Sequence, residues 1–374
     1  MLRFNSDHKF KIMQIADTQE IPAVSPDTLS LINNALDREK PDLVIFTGDQ
    51  IKGYSKKFKK DPAIIESTID ILVEPIAKRN IPFMVTYGNH DAQCGVDNRG
   101  QYKFYAKYDN FISGDLRNSD DVGTADIQIY SSTEDKPVFE LYIIDSHGKA
   151  KDGAGYAPVD KEQIEWYVSR REQLKAENGD YLPSLVFQHI PVPEFFDVIK
   201  NVPKGTKGAV PAYGAHENEY FVLNDETIAE GGFMLESPAS PDVNTGEFEA
   251  MSEKGDVLGI YVGHDHNNSF VVKYKGVDLG YTQGAGFNVY GPGENRGVRI
   301  FELAETAPRE YKTHTMTFKE LCGTKIKTPV KEFIYKHAPT SPRAVKPILI
   351  KIGIGIAAIA AVYAAYKFFT GFNI

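Results

Sequence analysis

Five times along this chain a short apolar run stops at a cluster of Asp, Asn, Gln or His, and no other feature constrains the fold as much. Residues 9–16 (KFKIMQIA) alternate like a strand and end at Asp17 and Gln19; residues 42–47 (DLVIFT) end at Gly48 and Asp49. Residues 82–87 end at Gly88, Asn89, His90 and Asp91, residues 185–187 lead to His189, and residues 257–262 end at Gly263, His264, Asp265 and His266. Short continuous apolar runs are what parallel strands covered on both faces require. Helical segments lie between them. Ser25 and Pro26 supply an N-cap and a first-turn proline ahead of Leu29, Ile32 and Leu36, and residues 62–79 and 160–177 also read as helices. The alternation predicts an α/β fold, with a β-rich later part running to Leu303. Ligands bind such sheets at the carboxyl ends of the strands, so the polar clusters are expected to converge on one rim.

That rim offers the carboxylates of Asp17 and Asp49, the amides of Gln19 and Asn89, and the imidazoles of His189, His264 and His266 besides His90. Taken singly, a polar residue at a strand end is ordinary; the combination is not. Mixed oxygen and nitrogen donors suit Mn, Fe or Zn better than Ca or Mg. The set is too large for one tetrahedral ion and sufficient for two that share a carboxylate. A two-ion centre lowers the pKa of a bound water and offsets charge on the attacking and leaving oxygens of an in-line displacement at phosphorus.

The motifs ADTQ (16–19), TGDQ (47–50), YGNHD (87–91), FQHIPVPEF (187–195) and VGHDHNNSF (262–270), with IDSHG (144–148) and GAGFNVYG (284–291), carry a resemblance. Over residues 9–303 the chain resembles the calcineurin-like metallophosphoesterases, and among them the purple-acid-phosphatase-like branch. The resemblance implies a four-layer α/β/β/α sandwich with two metal ions at one edge. It implies that Asp49 bridges both ions, that Asp17, Gln19 and His266 complete one site, and that Asn89, His189 and His264 complete the other. It puts His90 beside the leaving group, Asp91 behind His90 as its orienting partner, and Asp265 in a supporting position. Gln19 departs from the family, which usually has His there, and Lys52 stands where the purple enzymes carry a Tyr, with Tyr54 two residues on. Weaker candidates for substrate contact are His147, Asn288 and Tyr290, and His216 with Glu217.

The net charge of -9 argues against a dedicated nucleic-acid partner, because phosphate-backbone contacts need clustered Lys and Arg. Cys94 and Cys322 make no disulfide framework. The expected activity is that of a metal-dependent phosphoric ester hydrolase, first of all a phosphomonoesterase. It would act by in-line attack of a metal-bound hydroxide, with His90 assisting the leaving group. A phosphodiesterase on nucleotides or nucleic acid uses the same centre. Gln19 motivates a third reading, a degenerate metal-binding interaction protein held at a membrane.

Residues 1–323 read as the catalytic domain, with the irregular stretch 200–255 as an insertion or lid over the site. Residues 324–346 read as a basic linker containing Pro329, Pro339 and Pro342. Residues 347–370 read as a C-terminal transmembrane helix in which Lys351 is the only charge between Ile348 and Tyr366. Lys331, Lys336, Arg343 and Lys346 ahead of it, and an N-terminus unlike a secretory signal, predict a tail anchor with the body in the cytoplasm.

Overall fold

The run Leu43–Thr47 is buried at every position, and the two directions its side chains take define the layers. Leu43 and Ile45 pack inward with Ile12, Leu141, Phe187 and Phe301. Val44 and Phe46 pack outward with Leu31, Ile32, Ile65 and Ile69. The structure, a computed structural model, describes residues 1–337 apart from 152 and 154, and beyond them 349–357, 359, 361 and 362.

The main elements are β1 (Lys9–Ile15), α1 (Pro26–Glu39), β2 (Leu43–Thr47), α2 (Pro62–Ala77), β3 (Phe83–Thr86), β4 (Ala125–Tyr130), β5 (Pro137–Ile144), α3 (Lys161–Asn178), β6 (Ser184–Gln188), β7 (Ile228–Met234), β8 (Val257–Val262), β9 (Asn268–Tyr274), β10 (Val277–Tyr281), β11 (Gly297–Ala304), β12 (Tyr311–Thr317) and α4 (Pro329–His337). A five-stranded sheet runs β12–β11–β1–β2–β3, and β4–β5–β6–β8–β10–β9–β7 make the body of a nine-stranded one. β1, β2 and β3 are parallel, and so are β5, β6 and β8. The inner faces of the two sheets meet in one core. α1 and α2 cover the smaller sheet from outside, and α3 with the short helix Glu247–Ser252 covers the larger. This is the expected α/β/β/α order.

The helix starts follow from local chemistry. Ser25 caps α1, Asp61 caps α2, and Asp160 with Gln163 forms a capping box on α3. Each cap satisfies amide hydrogens that would otherwise lack a partner, worth about 1 kcal/mol. Within the stretch 200–255, β7 joins the larger sheet as an edge strand through β9.

The C-terminal part differs from expectation. The reading of 324–346 as a linker fails over Pro329–His337, which form α4. The reason is Arg296, whose guanidinium is fully buried. It donates to the carbonyls of Gly286, Val289 and Tyr290, lies over the Phe287 ring, and meets the Glu332 carboxylate of α4 at 3.2 Å. A buried cation needs a buried anion, and α4 brings it. Half of the transmembrane helix expected over 347–370 lies outside the described residues. Residues 349–357 are helical, with Ile350, Ile352, Ile354 and Ile356 exposed. Among the described residues no helix is long and apolar enough to cross a membrane, so the spanning helix has no support there.

Glu332→Ala leaves the Arg296 charge buried and unneutralised. Denaturant unfolding is expected to show a loss of about 3–5 kcal/mol, with Glu332→Gln falling between that variant and the parent. An unchanged midpoint in Glu332→Ala would refute the role given to α4.

Candidate metal centre

The strand ends deliver their polar residues to one place. The backbone takes positive φ at Asp17 (53°), Gln19 (35°), Asp49 (54°) and His264 (69°). A non-glycine residue reaches such conformations at a cost of about 1–3 kcal/mol, so the surroundings hold these four positions in place. Two glycines make room for the cluster. A Cβ on Gly88 would lie 2.2 Å from Oδ1 of Asp49, and one on Gly48 would lie 2.6 Å from Nδ1 of His189.

His189 stands at the middle. Its Nδ1 donates to the Thr47 carbonyl at 2.9 Å. That turns Nε2 toward Asn89 Oδ1 (3.1 Å), His264 Nδ1 (3.2 Å) and Asp49 Oδ2 (3.5 Å). His266 is oriented the same way. Its Nδ1 donates to the Tyr290 carbonyl at 3.0 Å, and its Nε2 faces Asp17 Oδ1 at 3.2 Å. A ring nitrogen fixed by a carbonyl, with the other aimed into a carboxylate cluster, is the usual posture of a metal-ligating histidine.

Three observations test whether a metal fits. Oδ1 of Asp17 is buried without a hydrogen-bond partner among the described residues. Ligand atoms of Asp17, Asp49 and His189 all lie within 4.8 Å of one another. The charges are unbalanced: burial works to raise Asp49, but His189 and His90 outweigh it and hold the carboxyl below its usual range. Burial likewise opposes a charged His189, yet Asp49 and Asp17 lift it to about 10. Two buried carboxylates thus draw positive charge toward them, and a divalent ion answers the same demand. The residues fit the group. Asp17, Asp49 and His189 form its tightest part, with Asn89, His264 and His266 adjoining.

Several residues do something other than expected. Asp91 does not touch the His90 ring. It is fully buried and accepts the amide hydrogens of Asp49 (2.7 Å), Gly88 (2.8 Å) and Ile51 (3.2 Å). His90 is oriented instead by Gln93, whose Oε1 meets its Nδ1 at 3.0 Å, and by a T-shaped contact with the Tyr54 ring. Gln19 occupies the expected position, but its amide nitrogen faces the cluster, donating to Asp49 Oδ2 at 2.8 Å and approaching His266 Nε2 at 3.2 Å. His147 pairs with Asp160 at 3.4 Å and lines a separate pocket beside Asp145. Asn288 bonds Glu20, the Ala23 carbonyl and Lys331, so it fastens the Gly-rich loop rather than reaching substrate. Asp265 accepts from Tyr281 (2.6 Å) and from the Ala239 amide (3.0 Å), tying the inserted stretch to the centre. His216 stacks on Phe196 and pairs with Glu219.

The cluster opens into a cavity of about 510 Å³. His90, Asp49, Gln19, His264 and His266 form its inner wall, and Tyr54, Tyr156, Tyr213, Glu236, Ser237 and Tyr290 are among the residues that complete it. Tyr290 stacks on His266 with ring centres 4.2 Å apart, and Tyr156 meets His264 in a T-shaped contact at 4.5 Å. Glu236 accepts from the Asn267 amide (2.8 Å) and the Tyr290 hydroxyl (3.3 Å). Burial, against the pull of His266, pushes its carboxyl up to about 7. Sequence reasoning missed Glu236, Ser237, Tyr156 and Tyr213. The first two lie in an irregular Ser- and Pro-containing stretch where no spacing marks them. The tyrosines read as ordinary loop residues.

The family model for calcineurin-like phosphoesterase matches residues 10–268. "Probable inactive purple acid phosphatase 14" of Arabidopsis thaliana is 29% identical over 338 residues, covering 80% of this chain and 77% of that one. "Phosphatase DCR2" of Saccharomyces cerevisiae is 28% identical over 298 residues, covering 73% and 46%. Among solved structures, a dimetal phosphatase from Danio rerio superposes with a TM-score of 0.49 at 13% identity, covering 83% of this chain and 99% of that one.

Asp91→Ala removes the acceptor of three buried amide hydrogens. Thermal unfolding is expected to show a loss of about 2–4 kcal/mol, together with weakened metal retention. A variant that keeps full stability and loses only turnover would restore the simpler role of Asp91 as a partner of His90.

Proposed function

Since the chain belongs to the calcineurin-like phosphoesterase family, on its purple-acid-phosphatase-like side, we propose that it hydrolyses phosphate monoesters at the centre built by Asp17, Asp49, Asn89, His189, His264 and His266. The observation that carries this reading is the convergence of Asp17, Asp49 and His189, whose ligand atoms lie within 4.8 Å of one another, beside His266, whose Nδ1 is tied to the Tyr290 carbonyl while its Nε2 faces Asp17 Oδ1 at 3.2 Å. Two ions of the Mn, Fe or Zn class, when bound, supply Lewis acidity that activates water and offsets charge at phosphorus.

The chain's own residues do the rest. Asp17 and Asp49 hold negative charge at fixed positions, and Asn89 adds a neutral oxygen donor. The His90 amide donates to Asp49 Oδ1 at 2.8 Å, which fixes the start of the turn carrying the imidazole. With Nδ1 engaged by Gln93, Nε2 of His90 is the nitrogen left for substrate. From there, in its protonated form, it donates to the departing alcohol oxygen.

Gln19 favours a second reading, a metal-binding protein that has given up turnover. An amide that donates to Asp49 and approaches His266 replaces a metal bond by hydrogen bonds. Metal stoichiometry separates the two readings: two ions for the hydrolase, one or none for the binding protein. We further propose that the exposed apolar residues of 349–362 hold the body at the cytoplasmic face of a membrane. In sealed vesicles the body should then be digested by external protease only when its face is outward. Digestion that ignores orientation would count against it.

Metal-stripped protein titrated with Mn is expected to hydrolyse p-nitrophenyl phosphate faster than bis(p-nitrophenyl) phosphate, and Asp49→Ala to fall to background. His90→Ala should lower kcat on an alkyl phosphate by about 10²–10⁴-fold. The loss should be smaller on the nitrophenyl ester, whose leaving group needs little protonation. A folded, two-ion protein inactive on every monoester tried would sink the proposal.

A further inference from the structure

Beside the metal cluster, the remaining lining of the cavity has a chemistry of its own. Tyr54, Tyr156, Tyr213 and Tyr290 all line it, and among the described residues no Lys or Arg does; the nearby Lys52 has its Nζ 5.3 Å from the centre of the Tyr54 ring. Glu236 and Ser237 line it too. Ser237 is buried, and its Oγ has no hydrogen-bond partner among the described residues. Glu236 accepts two hydrogen bonds, from Asn267 and Tyr290. A carboxylate has about four acceptor positions, so capacity remains.

An alcohol lying in this cavity meets tyrosine side chains, one carboxylate and one hydroxyl without a hydrogen-bond partner among the described residues. A leaving group with further negative charge, such as the rest of a nucleoside polyphosphate, would face Glu236 with no Lys or Arg among the described lining residues to offset it, which is the arrangement that rejects a partner. Tyrosine faces favour flat rings and attract cations through the ring quadrupole. A carboxylate beside an unpartnered hydroxyl supplies acceptors for an ammonium, which has three hydrogens to place.

We infer that the substrate is a phosphate monoester of an aromatic alcohol that carries an ammonium group, with the ring held among the tyrosines and the ammonium at Glu236 and Ser237. The inference rests on the monoesterase reading for the position of the phosphoryl group. The selectivity resides in Glu236.

Tyramine phosphate and 4-hydroxyphenylacetate phosphate test it. They share a phenol leaving group and nearly the same length, and differ in the charge at the far end. With the metal-loaded full chain at pH 8.5, kcat/KM is expected to favour the tyramine ester by about tenfold, the scale of one charge contact in a partly desolvated cleft. In Glu236→Gln the ratio should fall close to one. Equal rates in the parent chain, a preference for the acidic ester, or a ratio that survives in Glu236→Gln would each overturn the inference. Calorimetric binding of tyramine and 4-hydroxyphenylacetate to the same protein separates this outcome from failure of the monoesterase reading. If neither ester turns over, preferential binding of tyramine that is lost in Glu236→Gln still upholds the pocket, and equal binding rejects it.

Discussion

Asp91 accepts amide hydrogens from Asp49, Ile51 and Gly88 in a position closed to solvent, and the rest of the centre depends on that contact. It joins the loop after β2 to the loop after β3. Asp49 answers by accepting the His90 amide hydrogen on Oδ1, so the two loops hold each other through reciprocal bonds. Burial and the neighbouring Asp49 charge push the Asp91 carboxyl up, to about 8, while the amide donors pull the other way. A carboxyl group in so dry a place is tolerated only because its oxygens have those donors. Asp49, Asn89 and His90 are therefore placed as one unit, and their spacing does not depend on the flexibility of either loop.

A second line of support reaches the centre from the far end of the fold. The Tyr290 carbonyl orients His266, and the Tyr290 ring stacks on it. The loop carrying Tyr290 wraps the buried guanidinium of Arg296, and Glu332 of α4 neutralises that guanidinium. Lys331 of α4 reaches Asn288 in the same loop. One imidazole of the centre thus owes its orientation to a helix far along the chain. The same loop supplies a wall of the cavity, so metal geometry and substrate contact share one support.

The strands were legible because burial on both faces writes itself as a continuous apolar run, as in Leu43–Phe46. The α1 boundary was legible because Ser25 and Pro26 act within one turn. Asp17, Asn89, His189 and His266 could be named in advance because each lies within four residues of a strand's carboxyl end, and the carboxyl ends of parallel strands share an edge. The partners of those residues could not. IDSHG looked like site sequence, yet His147 turns to Asp160. GAGFNVYG did border the site, but through Tyr290, while Asn288 serves as a fastening. The proline-containing segment after Thr328 read as linker because Glu332 has no local partner; Arg296 lies 36 residues away in sequence.

The sequence by itself determined the alternation of strands and helices, the convergence of five polar clusters on one rim, and the donor types assembled there. Those follow from period, burial and strand direction, which are local. Only the tertiary structure decided which atom of each donor faces the cluster, that Asp91 binds backbone rather than His90, and that tyrosines with Glu236 line the cavity beside it. Those depend on groups brought together from distant parts of the chain. Hydrogen bonds and burial act over a few ångströms of space whatever the separation in sequence.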